Sequence, residues 1–293
     1  MDELAILFCR PELGSTVEDA FEIEAEAVDA LDIPAFVISA NLVVDDEPER
    51  AVRGLPRNVG RLLYRGPILS AEQYDGLYGA VQERDGQLVV DPAAYEHALY
   101  TPEHYESIAD LAPPTRWTHA SDIEEAFEAA RELGDPPWLV KDHIKSAKEE
   151  WEDACFIPAG ASKADFARVA KRLLELRGDQ FARGFVIRKF LDLATSSVRT
   201  VERRIPDEHR LFFWEGKIVC HAPYHDIGDR VDDTSDFELL GKRIASPFFT
   251  ADVAFLSEGE PRSWVVVEIN DGGVSTLPEQ MDPRELYRAV VAR

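Results

Sequence analysis

Apolar positions change their period in a regular way along this chain. Glu3-Leu4-Ala5-Ile6-Leu7-Phe8-Cys9 is a short apolar run that reads as an opening strand. Residues 16–31 switch to helical spacing, with Val17, Ala20, Phe21, Ala27, Val28 and Leu31 set against acidic positions. Ala35-Phe36-Val37-Ile38-Ser39 is a second strand, and a β-α-β opening predicts a parallel sheet. Leu62 to Gly66 reads as a third strand ending in a turn, 70–82 as a helix, and 91–100 as a helix with Pro92 at its first position. Leu111-Ala112-Pro113-Pro114-Thr115 is the best linker candidate. Beyond it the spacing predicts a helix over 121–133, opened by a Ser121 and Glu124 capping box. A strand over 138–141, a capped helix over 162–176 and a strand over 184–191 follow. Strands at 208–214 and 217–222, a terminal strand pair and a helix over 282–291 complete the pattern.

The terminal pair carries the most informative polar residues. Residues 249–256 and 263–272 are rich in β-branched and aromatic side chains, and the stretch between them holds Gly259 and Pro261. That composition predicts two antiparallel strands joined by a short loop. A turn centred on Glu260 would set Asp252 opposite Glu268, with Asn270 on the same face as Glu268. Like charges paired roughly 5 Å apart destabilise a sheet, and a cation between them would remove that penalty. Two carboxylates and an amide oxygen form a hard oxygen set suited to Mg2+ held together with phosphates. The alternative is a solvated hairpin face.

Composition narrows the class. The chain has 293 residues, enough for one large domain or two to three subdomains. No apolar run approaches the roughly 20 residues needed to span a membrane. Met1-Asp2-Glu3-Leu4 lacks the basic start of a signal peptide, and Cys9, Cys155 and Cys220 are scattered and odd in number. Both features suit reduced thiols in the cytoplasm. The formal net charge of -24 opposes nucleic-acid binding. Arginines outnumber lysines 24 to 8, and acidity with so little lysine resembles proteins of salt-loving organisms.

No lysine precedes Lys141, and then Lys141, Lys145 and Lys148 fall within eight residues. Lysine is a compact point charge for phosphate, so the cluster reads either as a phosphate-binding loop or as a solvated one. His221 and His225 stand at i, i+4, but Pro223 between them argues against a helical metal pair. Cys155 lies near the lysine loop without a clear base partner.

The order of these motifs resembles the ATP-grasp superfamily over roughly residues 113–293. An Asp followed one strand later by Glu-x-Asn is similar to the metal-ligand pattern of many ATP-grasp ligases, and Asp252, Glu268 and Asn270 match it. Trp138-Leu139-Val140-Lys141-Asp142 resembles the strand that presents a phosphate-binding lysine. Val186-Ile187-Arg188-Lys189-Phe190-Leu191 resembles the hinge whose backbone binds adenine. Glu208-His209-Arg210 resembles the next strand, which would put Glu208 toward ribose and Arg210 toward the phosphates or the acyl intermediate. More narrowly, the 141–151 string, Tyr64-Arg65-Gly66 and Asp271-Gly272-Gly273-Val274-Ser275-Thr276-Leu277-Pro278 resemble a small clade marked by one Arg and two Lys. Two departures stand out: 142–150 has no glycine, and Arg188 stands where many relatives place an acceptor for the adenine amino group.

The resemblance implies a mixed α/β chain: a Rossmann-like parallel-sheet domain over 1–112, then an ATP-grasp fold whose two α+β subdomains, 113–187 and 188–293, grip ATP. It implies a carboxylate–amine ligase using ATP and Mg2+ through an acyl phosphate, with small-molecule or peptide substrates. Arg210 and Lys141 would be catalytic. Lys141, Lys145, Lys148, Arg188, Lys189, Phe190, Leu191 and Glu208 would hold ATP, and Arg65 is a candidate for substrate contact. The alternatives are a nucleotide-binding module without turnover and a nucleic acid ligase adenylated on Lys141. The latter lacks the expected Lys-x-Asp-Gly core, because Lys141 is followed by Asp142-His143-Ile144.

Overall fold

A computed structural model of the chain describes residues 4–11, 16–195, 206–225, 231, 233–257 and 263–292. The chain divides into two compact units, each built from separated stretches. The first comprises Met1–Ala98, Ser196–Val253 and Glu268–Arg293, and the second Leu99–Thr195 and Ala254–Val267.

The first unit contains the expected parallel sheet. Strands β1 (Leu4–Arg10), β2 (Ala35–Ser39), β3 (Gly60–Arg65) and β4 (Gly86–Leu88) lie in the order β2-β1-β3-β4, all parallel. The uninterrupted apolar run of β1 suits a central parallel strand, since such strands are covered on both faces. The helix between β1 and β2 runs from Glu22 to Ala30 and is preceded by a 3-10 turn at Asp19–Phe21. The helix after β3, Ala71–Gln82, opens on a capping box in which the Ser70 hydroxyl accepts from the Gln73 amide and the Gln73 side chain accepts from the Ser70 amide.

The second unit holds the sheet β5-β8-β6-β7, made of β5 (Thr115–Trp117), β6 (Trp138–Asp142), β7 (Phe156–Ile157) and β8 (Phe185–Lys189). One face carries Trp138, Val140, Ile157, Phe185 and Ile187, packed with residues of helices Ile123–Arg131 and Lys163–Arg177. The cap of the first of these helices falls one residue later than its sequence suggests. Asp122, rather than Ser121, accepts the amides of Glu124 and Glu125, because a carboxylate satisfies two free helix-end donors at once. The second helix opens as expected on a Ser162–Asp165 capping box. A helix at Thr101–Ile108 follows Pro92–Leu99 where the spacing predicts only one. The Pro113-Pro114 segment is tied down inside this unit: the Tyr105 hydroxyl accepts the Thr115 amide at 3.0 Å, and the Leu111 carbonyl accepts the Val266 amide at 2.7 Å.

A second sheet runs in the order β10-β9-β11-β12, from β9 (Glu208–Trp214), β10 (Lys217–Pro223), β11 (Phe248–Phe255) and β12 (Trp264–Asp271). β9 and β11 are buried along their whole length. The join between β11 and β12 is too short for a parallel crossover, and the Leu256 amide donates to the Ser263 carbonyl at 2.9 Å, as an antiparallel hairpin requires. The turn expected around Glu260 lies outside the described residues.

Within the first unit the two clade-like strings interlock. Arg65, at the end of β3, is completely buried. Its guanidinium forks onto Glu24, with Nε to Oε2 at 2.9 Å, and donates to the Gly272 carbonyl at the exit of β12. Tyr287, from the closing helix Pro283–Val291, donates to the same Glu24 carboxylate at 2.6 Å. The Gly66 amide donates to the Gly273 carbonyl at 3.1 Å. A Cβ on Gly272 would stand 2.5 Å from the Phe248 ring, and one on Gly273 would stand 2.7 Å from the Tyr64 carbonyl oxygen. Only glycine allows the two chains to approach so closely. Burial alone would lower the pKa of Arg65, but Glu24 and Tyr287 reverse the sign and hold it charged.

Removing one partner of a buried ion pair leaves an uncompensated charge. Arg65→Met and Glu24→Gln are therefore each expected to cost roughly 3 to 5 kcal/mol, while the double variant recovers much of that loss. Denaturant unfolding of the four proteins checks the cycle. Simple addition of the two losses would show that Arg65 and Glu24 act separately.

Candidate functional site

The charged face of the antiparallel sheet comes from strand alternation. Glu208, Arg210, Phe212 and Trp214 share one side of β9, and Phe248, Thr250 and Asp252 share one side of β11. One end of this face is aromatic, with Trp214 packed edge-on against Phe248 at 5.6 Å. The other end is ionic. Arg210 Nε and Nη2 each reach one oxygen of Asp252 at 2.8 Å. Its Nη1 donates to the Thr276 carbonyl at 3.1 Å, and the Tyr224 ring lies 4.5 Å from the guanidinium carbon. Glu208 and Glu268 both bear electrostatically on Asp252, and Glu268 on Arg210 as well. Asn270 is two residues beyond Glu268 on β12, so it shares that side of the strand.

Three carboxylates thus surround one guanidinium. Asp252 is 1% exposed, Glu208 6% and Arg210 6%, whereas Glu268 and Asn270 are half-buried. Burial, then Glu208 and Glu268, push the Asp252 carboxyl up, against the pull of Arg210. Burial would lower Arg210, but Asp252 overcomes it and holds the guanidinium firmly charged. His225 Nε2 stands 3.5 Å from Glu208, and its partner in the sequence pattern, His221, lies on β10. Asp271, next along β12 from Asn270, is buried; burial raises its carboxyl to about 7, and one oxygen accepts the Gly273 amide.

Among the described residues no group of three or more His, Cys, Asp or Glu side chains converges in metal-binding geometry. The oxygen donors of Asp252, Glu268 and Asn270 nevertheless fit a hard divalent cation by chemistry. Arg210, bonded to both oxygens of Asp252, stands in the position of the missing positive charge.

In the second unit, the face of β6 and β8 opposite the apolar core carries Leu139, Lys141, Val186 and Arg188, which pair across the strands as Leu139↔Arg188 and Lys141↔Val186. Lys141 is 9% exposed; Lys145 and Lys148 are exposed. The strand-end Asp142 organises the glycine-free loop: its Oδ1 accepts the amides of Ile144 at 2.7 Å and Lys145 at 2.6 Å, and its Oδ2 accepts Arg177 Nε at 2.8 Å. A side chain therefore performs the folding that glycine performs in other loops. Lys148 and Lys141 both bear on the buried Cys155, but burial dominates and pushes that thiol up to about 11, which removes it as a nucleophile.

After β8 the backbone is partly committed. The Lys189 amide donates to the Pro114 carbonyl at 2.8 Å, and the Phe190 amide to the Pro137 carbonyl at 3.1 Å. The Lys189 ammonium donates to the Asp135 carbonyl, and Arg188 to the Val267 carbonyl. Phe190 joins Trp151 and Phe156 in an aromatic group, at 6.4 Å and 5.1 Å between ring centres. Leu191 is half-buried. Sequence reasoning missed Tyr224 and the Asp142 anchor. The Asp directly after Lys141 at a strand end was the available signal for the anchor.

Residues 132–290, more than half of the chain, match an ATP-grasp domain family, the third family of the clade named for one arginine and two lysines. No curated protein matches by sequence. Solved structures share the fold. A RimK domain protein ATP-grasp from Sphaerobacter thermophilus is 13% identical, covers 99% of this chain and 100% of its own, and superposes with a TM-score of 0.60. A D-alanine–D-alanine ligase from Bacillus anthracis complexed with ATP is 12% identical, covers 99% and 92%, and gives 0.61. The ATP-grasp ligase PsnB, complexed with minimal precursor, Mg and ADP, is 13% identical, covers 99% and 97%, and gives 0.55.

His143 supplies a pH-dependent test of the lysine loop. It is buried, its Nε2 bonds the Thr118 carbonyl at 2.8 Å, and its Nδ1 has no partner. Burial lowers its pKa, the Thr118 carbonyl opposes, Arg183 adds to the lowering, Asp142 opposes, and His119 lowers it further. A depressed histidine stabilises the fold above its unfolded pKa of about 6.5, and that stability is lost as pH falls toward the folded value. Thermal unfolding at pH 7.5 and 5.5 is expected to show a smaller acid loss for His143→Gln than for the wild type. An identical loss in both would exclude His143 as the titrating group.

Proposed function

The chain belongs to the third family of that arginine-and-two-lysine clade of ATP-grasp domains, and from that premise we propose that it is an ATP-dependent ligase joining a carboxylate to an amine. The observation that carries the reading is the charged face of Arg210, Asp252, Glu208 and Glu268 in a chain with this fold.

Mg2+, when bound, would neutralise phosphate charge and help align the γ-phosphoryl group for transfer. Asp252, Glu268 and Asn270 would be its protein ligands. Lys141 and Arg210 would offset the charge that develops on the phosphoryl oxygens, with Lys145 and Lys148 reaching in from the exposed loop. A carboxylate oxygen of the first substrate attacks the γ-phosphorus, the bond to the bridging oxygen breaks, and ADP leaves with the electron pair. The amine nitrogen then attacks the acyl carbon, phosphate departs, and the nitrogen gives up a proton to leave an amide. The residues contribute mainly alignment and preorganised charge.

The nucleobase would meet the segment 188–191, with Glu208 at the ribose. The Lys189 amide is already bonded to Pro114, so donation from this segment falls to Leu191. Phe190, with Trp151 and Phe156, would supply apolar contact to the base. The substrates would be small-molecule or peptide carboxylates and amines. A module without turnover is the second reading. The ionic face argues against it, because enclosing a guanidinium among carboxylates costs stability that a silent domain has no need to give up.

ADP release across a panel of acids and amines tests the reading. Glu268→Gln keeps the volume and removes the charge; it is expected to abolish Mg2+-dependent turnover with an unchanged melting temperature. Near-normal turnover in that variant would reduce Glu268 to a hairpin face.

Lys145→Ala and Lys148→Ala are each expected to weaken ATP binding or slow single-turnover transfer by about tenfold, the effect of losing a charge-assisted contact that is desolvated on binding. Lys171→Ala, in the exposed face of helix Lys163–Arg177, is the control. Three equal results would leave the phosphates to Lys141 and Arg210 alone.

A further inference from the structure

Asp252 is the least exposed of the expected metal ligands, and both its oxygens are bonded to one guanidinium. A cation entering beside Glu268 and Asn270 would need at least one of those oxygens. Arg210 is itself held by more than Asp252: the Thr276 carbonyl takes its third nitrogen and the Tyr224 ring covers its face. The guanidinium is therefore a fixed counter-charge, and it already offsets the repulsion that Glu208, Asp252 and Glu268 would otherwise exert on one another.

We infer that Arg210 is a latch on the metal site: it occupies Asp252 until an anionic ligand draws the guanidinium away, so that the divalent cation binds with the nucleotide and only weakly before it. This rests on the ligase reading and adds an order of events to it. The competition is between two cations for one buried carboxylate. In the nucleotide-free chain the bidentate pair has no desolvation left to undergo, whereas an incoming cation must shed water and displace two charge-assisted hydrogen bonds. A phosphate chain changes the balance in two ways. It offers Arg210 alternative anionic oxygens, and it supplies further oxygens to the cation.

The test uses the full chain and Mn2+, with the free ion measured by electron paramagnetic resonance. Without nucleotide, the wild type is expected to bind weakest. Arg210→Met should bind Mn2+ about tenfold or more tightly, because the competing fork is gone while all three oxygen donors remain. Arg210→Lys, which keeps the charge but loses the fork, should fall between them. Adding Asp252→Asn to Arg210→Met should erase the gain. A non-hydrolysable ATP analogue should bring the wild type close to Arg210→Met.

Equal nucleotide-free affinities in wild type and Arg210→Met overturn the latch. If Arg210→Met does not fold, Arg210→Lys decides, and affinity equal to that of the wild type overturns it. Normal analogue-dependent Mn2+ binding in that case leaves the ligase reading standing. Absence of Mn2+ binding in every form, even with the analogue, removes the metal site itself and the ligase reading with it.

Discussion

A fully buried guanidinium organises the first unit. Arg65 has no water to solvate it, so every donor must find an acceptor within the protein. The acceptors come from distant points in the chain: Glu24 in the first helix and the Gly272 carbonyl at the exit of β12, with Tyr287 of the last helix completing the Glu24 carboxylate. Satisfying one charge thus fixes a parallel strand, two helices and the end of an antiparallel strand in a single arrangement. The consequence for the candidate site is indirect. The same β12 carries Glu268 and Asn270 just upstream of Gly272, so their strand is anchored at its exit.

The regular part of this architecture was legible because it depends on local rules. Period-two and period-3.6 patterns located the β-α-β opening, and the Ser162 cap is a side-chain motif confined to four residues. Glu24 shows where such rules stop. It occupies an acidic position in a helix that reads as amphipathic, and its burial is set by Arg65, 41 residues away. Charge alone assigns it to the solvent. The same holds for Asp252: hairpin geometry put it on a face with Glu268, but the Arg210 fork comes from another strand, 42 residues distant. Tyr64-Arg65-Gly66 and Asp271-Gly272-Gly273 were each noticed as strings, yet their interlocking depends on a carbonyl–amide contact and two absent side chains that no spacing rule encodes.

Lysine and arginine divide the cationic work by chemistry. Arg65, Arg177 and Arg210 use the planar fork to hold buried carboxylates in defined geometry. Lys145 and Lys148 are exposed, on a loop whose shape is set by the Asp142 carboxylate rather than by the lysines themselves. A flexible ammonium suits a ligand that arrives and departs, since it loses its order again on release. A guanidinium fork suits a permanent scaffold. In a chain carrying a net charge of -24, the few lysines stand out against a repulsive background. That background raises the cost of bringing a polyphosphate close and makes each lysine of the loop matter more. Arg210 lies between the two classes. It is forked and buried like a scaffold residue, but it faces the strand that bears Asp252 and stands within electrostatic reach of Glu268, where a phosphate-bound cation would compete for the same oxygens. A buried charge pair with a second partner open to each member is a two-state element, and its position is set by whichever anion or cation reaches it first.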